Sequence, residues 1–374
     1  MRPFLRGRLL RLWLHFKTSR FADRFARFLI ANCKNDFPEP HQAVCPRKEK
    51  LRRILFVCDN MWERRALLPE LSNIAEVDFI DIGELLVNRG TASQPPNADD
   101  FAKKLGPLKK REYSLAIVYL RSSLLSEHLF GLLRENCRAP LLGLNLDDKT
   151  SFEDFEIFRR SYPPYREWAK YFDCNLSSSR TMIEVYRANG FPCLYMPEGF
   201  HFDPKRPNCA SLQELQYSTT FVGSYKPERA KFIEELSRLG INVTLFGSGW
   251  KAAQFAEDDW RIYNASQINL GLGYNVTGKQ ITNLKSRDFE CTGAGGCYLT
   301  TFDWELAELF RVGEEILCYR DIYDLVEVWS FYIKRPDKCR QIAHAGQQRA
   351  IREHTWEQRF RTVLDQLGFD VQRQ

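Results

Sequence analysis

Residues 53–58 of this chain read Arg-Ile-Leu-Phe-Val-Cys, a short apolar run that ends at Asp59-Asn60. A run that is apolar on both faces is typical of a strand in a parallel sheet whose two faces are covered by helices. Similar runs recur up to residue 196, and stretches with helical spacing lie between them, including 122–136 and 151–168. The further predicted strands are Val77–Ile82, Leu115–Leu120, Leu141–Leu146, Tyr171–Asp173 and Cys193–Met196. This alternation predicts an α/β domain with an open parallel sheet, which binds ligands at the C-terminal ends of its strands.

The same alternation starts again with Ser218–Val222, which Gly223 follows directly. The further predicted elements are strands at Asn242–Phe246, Gln267–Leu272, Cys297–Thr300 and Glu315–Tyr319, and helices up to Leu239, at Asp324–Lys334, at Asp337–Glu353 and from Thr355. We therefore expect two Rossmann-like domains with parallel sheets that face a central cleft. The predicted domains are 51–204 and 205–374, and the terminal helix could pack back on the first of them.

The first 50 residues differ in composition from the rest, and they predict a basic amphipathic helical segment followed by a linker. Residues 1–34 contain nine basic residues and one acidic residue, a local charge of +8, so the remainder of the chain carries −2. Apolar residues recur at helical spacing among the arginines, but no apolar run approaches the roughly 20 residues that span a bilayer. Such a helix is typical of attachment to an anionic membrane surface. The alternative is a helix that packs on the globular body or on a partner protein.

The composition also argues against several functional classes. Because the basic excess is confined to one segment, the body of the protein lacks the surface with which a nucleic-acid-binding protein follows phosphates. The eleven cysteines show neither a Cys-x-x-Cys spacing nor a paired cysteine and histidine spacing. This pattern argues against a zinc site and a disulfide framework, and it favours a reducing compartment. We therefore predict a cytoplasmic protein, which could lie peripherally on the inner face of the membrane.

The stretch 280–300 carries the strongest functional signal of the chain. Arg287 and Glu290 lie three residues apart at a predicted helix start, and the small residues 292–296 lead from that helix into a strand. A helix N-terminus has a partial positive charge and free N–H groups, which suit anionic or hydroxyl-rich ligands. Arg287 could then bind a phosphate, and Glu290 the hydroxyl groups of a sugar. The alternative is a salt-bridged turn at the surface.

Two glycine turns form the second candidate element. Gly223-Ser224-Tyr225 follows a predicted strand, with Lys226 and Arg229 close behind it. A glycine there lets backbone N–H groups point at a phosphate, and the two cations could neutralise a diphosphate. Gly247 opens a Gly-Ser-Gly-Trp turn that ends at Trp250. This second turn could contact a nucleotide base, or it could only reverse the chain.

Asp147 and Asp148 end a predicted strand of the first domain, where a ligand of that domain would bind. Adjacent carboxylates could hold a metal or act as a base. However, no Asp-x-Asp pattern between apolar residues occurs, so metal-dependent sugar transfer of that type is disfavoured and no metal site is predicted.

Together these motifs resemble the CgeB/spore-maturation-like glycosyltransferases. The hallmark of that family is an Arg-x-Phe-Glu segment followed by small residues and glycine, and Ser286–Thr300 matches it. Phe221–Tyr225 with Arg229, and Leu245–Gly247 with Trp250, match the same pattern further upstream. The resemblance covers most of the predicted second domain and reaches the first domain only weakly.

The resemblance implies the GT-B superfamily, with two Rossmann-like domains, an acceptor bound by the first, a nucleotide-sugar donor bound by the second, and no metal or other cofactor. The donor residues that it implies are Gly223, Ser224, Tyr225, Lys226, Arg229, Gly247, Lys285, Arg287 and Glu290, and the acceptor-side residues are Asp147 and Asp148. In related retaining enzymes, two glutamates separated by seven residues contact the donor. Glu290 matches the second of these, which touches the ribose. Thr282 occupies the position of the first, and Arg287 or Lys285 could replace it.

The expected function is that of a metal-independent, retaining glycosyltransferase. It would move a sugar from a nucleotide sugar to a glycan, a lipid-linked glycan or a protein, with Arg287 and Glu290 as catalytic residues. Two alternatives stay open. One is a non-catalytic nucleotide- or sugar-binding scaffold protein of the same fold, which Thr282 motivates, and the other is a nucleotide-sugar epimerase.

Overall fold

The computed structural model describes residues 49–59, 61–83, 98–106, 111–153, 155–157, 160–206, 210–251, 259–272 and 283–371. The basic segment predicted at the start of the chain and Thr282 lie outside the described residues. Among the helices that are described, none combines the length and the apolar character needed to cross a membrane. The chain divides into two compact units, one that ends at Pro197 and resumes at Trp356, and one from Glu198 to Thr355.

The first unit is built on a six-stranded parallel sheet. Its elements are β1 (Glu49–Lys50), β2 (Arg53–Cys58), α1 (Met61–Ser72), β3 (Glu76–Asp81), α2 (Ala98–Leu105), β4 (Leu115–Tyr119), α3 (Glu127–Asn136), β5 (Leu141–Asn145), α4 (Asp148–Ser151), β6 (Phe155–Ile157), β7 (Arg160–Tyr162), α5 (Arg166–Ala169), β8 (Cys174–Ser177), α6 (Arg180–Ala188) and β9 (Cys193–Tyr195). The strand order is β3-β2-β4-β5-β8-β9. Along β2, Leu55 and Val57 join one apolar cluster, and Ile54 and Phe56 join another. Both faces of this strand are therefore buried, as its continuous apolar sequence predicts.

The second unit repeats the architecture with five parallel strands. Its elements are β10 (Tyr217–Val222), α7 (Pro227–Arg238), β11 (Thr244–Phe246), α8 (Asp259–Asn264), β12 (Ser266–Leu270), α9 (Ser286–Gly293), β13 (Tyr298–Thr301), α10 (Trp304–Leu309), β14 (Leu317–Tyr319), α11 (Ile322–Tyr332) and α12 (Pro336–Glu353). The strand order is β11-β10-β12-β13-β14. The chain runs from β10 to β11 on one side and then crosses to β12 on the other side. The strand order thus reverses between β10 and β12, which makes this the switch point where sheets of this kind bind ligands.

The end of the chain returns to the first unit as α13 (Trp356–Gln366) and β15 (Phe369–Asp370), and β15 pairs in parallel with β1. Trp356 and Phe360 are fully buried in the same apolar cluster as Ile54 of β2. The carboxylate of Glu70, on α1, accepts a hydrogen bond of 2.8 Å from the backbone N–H of Glu357. This contact satisfies one of the free N–H groups in the first turn of α13.

Two local predictions are wrong. The helix predicted over 151–168 is replaced by short helices on either side of an antiparallel hairpin of β6 and β7. Pro163 and Pro164 explain the difference, because proline lacks the N–H group that a helix interior requires. The strand predicted at 171–173 begins instead at Cys174, since the backbone N–H of Tyr171 still bonds to Trp168 in the turn that ends α5.

Candidate functional site

The candidate site lies at the switch point of the second unit, where the C-terminal ends of β10 and β12 meet. Gly223 follows β10 directly, and α9 begins at Ser286. Phe221, on β10, is fully buried and holds two guanidinium groups against its ring. The Cζ atom of Arg229 lies 5.6 Å from the ring centroid, and that of Arg287 lies 5.0 Å from it. Each distance falls within the range of a cation–π contact.

Gly223 makes this arrangement sterically possible. A Cβ atom built on it would lie 2.6 Å from Nη2 of Arg287. Any larger residue at position 223 would therefore displace the Arg287 side chain. The glycine predicted at this position therefore has a specific physical role, because the absence of a side chain leaves space for the guanidinium group of Arg287.

The two arginines form a positively charged site in which neither makes an ion pair with a described carboxylate, although Asp288 and Glu290 act electrostatically on Arg287. Nη1 of Arg229 donates to the carbonyl oxygen of Ser224 at 2.9 Å, while its buried Nε finds no acceptor in the described chain. Burial and the charge of Arg287 lower the pKa of Arg229 to about 10, so it still carries its proton at neutral pH. Two like charges so close together, without an ion pair within the described part, favour the binding of an anion.

The start of α9 is fixed by its own residues and by Glu198. Oδ2 of Asp288 accepts a hydrogen bond of 2.8 Å from the backbone N–H of Lys285, and the Asp288 N–H donates back to the Lys285 carbonyl oxygen at 2.8 Å. Burial raises the pKa of Asp288 to about 6. The hydroxyl of Ser286 donates to the buried carboxylate of Glu198. These contacts orient the helix that carries Arg287.

Lys285 and Glu290 occupy different surroundings on this helix. Lys285 is half-buried, and it lines a small cavity together with Asp288 and Asp303. Glu290 lies one turn after Arg287 and is also half-buried, and its carboxylate has no hydrogen bond to another described residue. Burial raises the pKa of Glu290 to about 7, although the charge of Arg287 acts in the opposite direction. Its carboxyl group is therefore available for the hydroxyl groups of a ligand.

The two glycine turns are joined to each other. The backbone N–H of Gly223 donates to the Phe246 carbonyl oxygen, and the indole N–H of Trp250 donates to the Gly223 carbonyl oxygen, both at 2.8 Å. Gly247 has a φ of +116°, and a Cβ atom on it would lie 2.6 Å from the Gly223 carbonyl oxygen. Gly247 thus shapes the Gly223 turn. Lys226 is half-buried directly before α7.

Asp147 and Asp148 have opposite environments in the first unit. Asp147 is exposed, whereas Asp148 is fully buried among side chains that include Tyr165 and Tyr186, whose pKa values are raised by burial and by the nearby carboxylate. Only Asp147 is accessible to a ligand. In the described part of the chain, no group of three or more histidine, cysteine, aspartate or glutamate residues could hold a metal ion.

Sequence reasoning missed several residues that the structure brings to these sites. Phe221 lies two residues before Gly223, and its position near the C-terminal end of a predicted strand was the available signal. Nothing in the sequence pointed to the contact of Glu198 with Ser286. A third contact that was missed lies at the switch point of the first unit, where Nε of Arg121 donates a hydrogen bond of 2.6 Å to Oδ2 of Asp59.

Comparisons with known proteins agree with this architecture. Residues 228–365 match a family described as glycosyl transferase-like, a range that includes Arg229 and Arg287. A search of curated proteins finds no match.

Three solved structures illustrate the similarity of fold. Anabaena HepE in complex with UDP and glucose has a TM-score of 0.58 and 14% identity, and the match covers 84% of this chain and 99% of HepE. A glycosyltransferase from Rickettsia africae has a TM-score of 0.55 and 11% identity, covering 86% of this chain and 98% of that one. Sucrose-phosphate synthase from Thermosynechococcus elongatus has a TM-score of 0.54 and 12% identity, covering 84% and 99%. The parallel α/β fold predicted from the sequence is confirmed, and it resembles that of the GT-B glycosyltransferases.

Proposed function

We propose that this protein is a glycosyltransferase that moves a sugar from a nucleotide-sugar donor to an acceptor. The observation that carries the proposal is the pair of arginines, Arg229 and Arg287, held on the ring of Phe221 beside Gly223. Two guanidinium groups near a helix N-terminus are suited to a diphosphate. The fold similarity to a protein solved with UDP and glucose, and the CgeB-like motifs of the sequence, support the same assignment.

The chemistry that we propose follows from the positions of these charges. When the bond between the anomeric carbon and the diphosphate oxygen breaks, negative charge develops on the departing diphosphate. Arg229, Arg287 and Lys226 would stabilise this charge, and preorganised cations in a partly buried site act strongly on such a transition state. Because the side chains supply the positive charge, we propose that transfer proceeds without a metal ion.

We further propose that Glu290 binds the ribose hydroxyls and that Lys285 or Arg287 contacts the sugar side of the donor. Retention at the anomeric carbon is proposed from the family resemblance alone. On the acceptor side we retain Asp147, which is exposed, and not Asp148, whose side chain is buried.

Calorimetric titration with UDP, GDP, ADP and their sugar conjugates tests the proposal. We expect one nucleotide series to bind, and we expect Arg229→Ala and Arg287→Ala each to weaken it by roughly 10-fold or more, as is typical for a lost charge-assisted contact. Lys231→Ala, an exposed cation on the same helix as Arg229, is the matched control. Absence of binding to every nucleotide, or unchanged affinity in both variants, would count decisively against the proposal.

Product analysis separates the remaining candidates. A transferase consumes the donor only slowly until an acceptor is supplied, whereas an epimerase converts the donor with no acceptor present. Binding without any conversion of the donor would identify the protein as a non-catalytic scaffold protein, the alternative suggested by Thr282 at the position of the first glutamate.

We also propose that residues 1–34 attach the protein to an anionic membrane surface, because nine of them are basic and only one is acidic. The test is co-sedimentation of the full chain with phosphatidylserine vesicles at low and high salt. Replacement of Arg2, Arg6, Arg8 and Arg11 by glutamate should abolish binding. Equal binding by this variant would refute the proposal.

A further inference from the structure

Three aromatic rings form a corner at the ends of β10 and β11. The rings of Tyr225 and Trp250 lie 5.3 Å apart at 85°, and those of Phe221 and Trp250 lie 6.1 Å apart at 76°. Phe221 is buried and Trp250 is half-buried, whereas 43% of the Tyr225 surface is exposed. Tyr225 is thus among the few large apolar residues exposed to solvent in the described part of the chain.

The backbone holds Tyr225 in place. Its N–H donates to the Ser248 carbonyl oxygen at 2.8 Å, which fixes one turn to the other. Gly249 has a φ of +85°, and a Cβ atom on it would lie 3.0 Å from Cβ of Tyr225. The second glycine turn therefore gives the tyrosine room while keeping it close. A ring fixed in this way loses little conformational entropy when a ligand stacks on it.

The neighbours of this corner indicate which ligand group it would meet. Tyr225 follows Gly223 by two residues, and the Phe221 ring that packs against Trp250 also contacts the guanidinium groups of Arg229 and Arg287. The indole N–H of Trp250 is already used by the Gly223 carbonyl oxygen, so Trp250 supports the corner instead of donating to a ligand. What the corner offers is a flat, uncharged aromatic surface beside a site for phosphates. A nucleobase is the part of a nucleotide that matches such a surface.

We propose that Tyr225, supported by Trp250, is the stacking platform for the nucleobase of the donor. This inference rests on the proposed function, and it assigns to the glycine turns a role in nucleotide recognition separate from that of the two arginines. Stacking tolerates any base, so Tyr225 contributes to affinity for nucleotides in general. The hydroxyl of Tyr225 makes no hydrogen bond with the described residues and is not needed for stacking.

The test compares a ligand that has a base with one that lacks it. The affinities of the full-length protein for UDP, GDP, ADP and inorganic pyrophosphate are measured by calorimetry. Tyr225→Leu should weaken binding of the nucleotide that the protein accepts by roughly 5- to 150-fold, the range expected for loss of one stacking contact. Pyrophosphate affinity should remain as in the unmodified protein. Tyr225→Phe keeps the ring and should leave both affinities unchanged.

Two controls complete the design. Tyr323→Leu removes an aromatic side chain that is 78% exposed elsewhere on the second unit, and it should change neither affinity. Thermal unfolding of each variant establishes that the fold is retained. If Tyr225→Leu weakens pyrophosphate and the nucleotide equally, or weakens neither, the stacking role is refuted while the proposed function stands. If the unmodified protein binds no nucleotide, the proposed function and this inference fall together.

Discussion

Nη2 of Arg287 occupies the space that a side chain at position 223 would need, since a Cβ atom on Gly223 would lie 2.6 Å from it. The glycine and the arginine are far apart in the sequence, so the close approach depends on the meeting of β10 and α9 at the switch point. The obstructing atom is the end of the Arg287 side chain, which a larger residue would push out of the site. Gly223 also has a φ of +156°, a conformation that residues with a side chain rarely adopt, so a change at this position should strain the backbone as well.

We therefore predict that Gly223→Ala lowers affinity for the donor nucleotide by about 10-fold, or roughly 1.4 kcal/mol, and that its strained φ of +156° also lowers the free energy of unfolding by about 1–3 kcal/mol. Gly247→Ala should reduce both, because its Cβ atom would meet the backbone carbonyl oxygen of Gly223, which cannot move aside. Calorimetry and urea unfolding give the two quantities. Gly131→Ala is the control, because the space around that helical glycine is open. Unchanged nucleotide affinity in the folded Gly223→Ala variant would contradict this account.

Phe221 should matter for binding through the arginines that it holds. Phe221→Leu removes the ring beneath both guanidinium groups, and each cation–π contact contributes on the order of 1 kcal/mol. We expect the affinity for the donor nucleotide to fall by more than 10-fold and the apparent contributions of Arg229 and Arg287 to shrink in double-mutant cycles. Phe331→Leu, which removes the ring that holds Arg335 at 3.9 Å, is the matched control and should leave binding unchanged. If the effects of the Phe221 and arginine substitutions on affinity simply add, the ring does not position the arginines.

The sequence predicts the strands well because β2 is a nearly continuous apolar run that ends at Asp59, and β10 is rich in β-branched and aromatic residues and ends at Gly223. From the sequence one can also predict that Arg229 and Arg287 lie at the same edge of one sheet, since both follow the C-terminal ends of strands. The sequence could not predict that Phe221 contacts both arginines, because that depends on the direction of one side chain relative to two helices. Nor could the sequence show that Asp147 is exposed and Asp148 buried, because the burial of adjacent residues is decided by packing in the folded unit.

Stability should depend on pH through Glu290. Burial raises the pKa of Glu290 to about 7 from an ordinary value of 4.5. Between these values the folded protein keeps a proton that the unfolded chain releases, so stability falls as the pH rises through this window. Glu290→Gln has no proton to lose. We expect it to exceed the unmodified protein in stability by on the order of 1 kcal/mol near pH 8, with the difference disappearing near pH 4.5.

Urea unfolding at both pH values measures this difference. Asp288, whose pKa is also raised by burial, titrates in both proteins and contributes little to the comparison. Glu234→Gln, a change at an exposed position of α7, should show no such pH dependence. A stability difference that is the same at both pH values would mean that Glu290 is ionised in the folded protein throughout the window.

The docking of α13 on the first unit should depend on Glu70, whose carboxylate accepts the N–H of Glu357 at 2.8 Å. Glu70 is buried, so its removal leaves a donor in the first turn of α13 without this acceptor. We expect Glu70→Ala to lower the free energy of unfolding by about 1–3 kcal/mol, the cost of an unsatisfied buried group. Glu70→Gln keeps an oxygen acceptor and loses only the favourable charge at the helix N-terminus, so its loss should be smaller, about 0.3–1 kcal/mol. Hydrogen exchange at the first amides of α13 localises the effect. Equal losses in the two variants would assign the role of Glu70 to its charge, and no loss in either would show that the packing of Trp356 and Phe360 is sufficient to hold the helix.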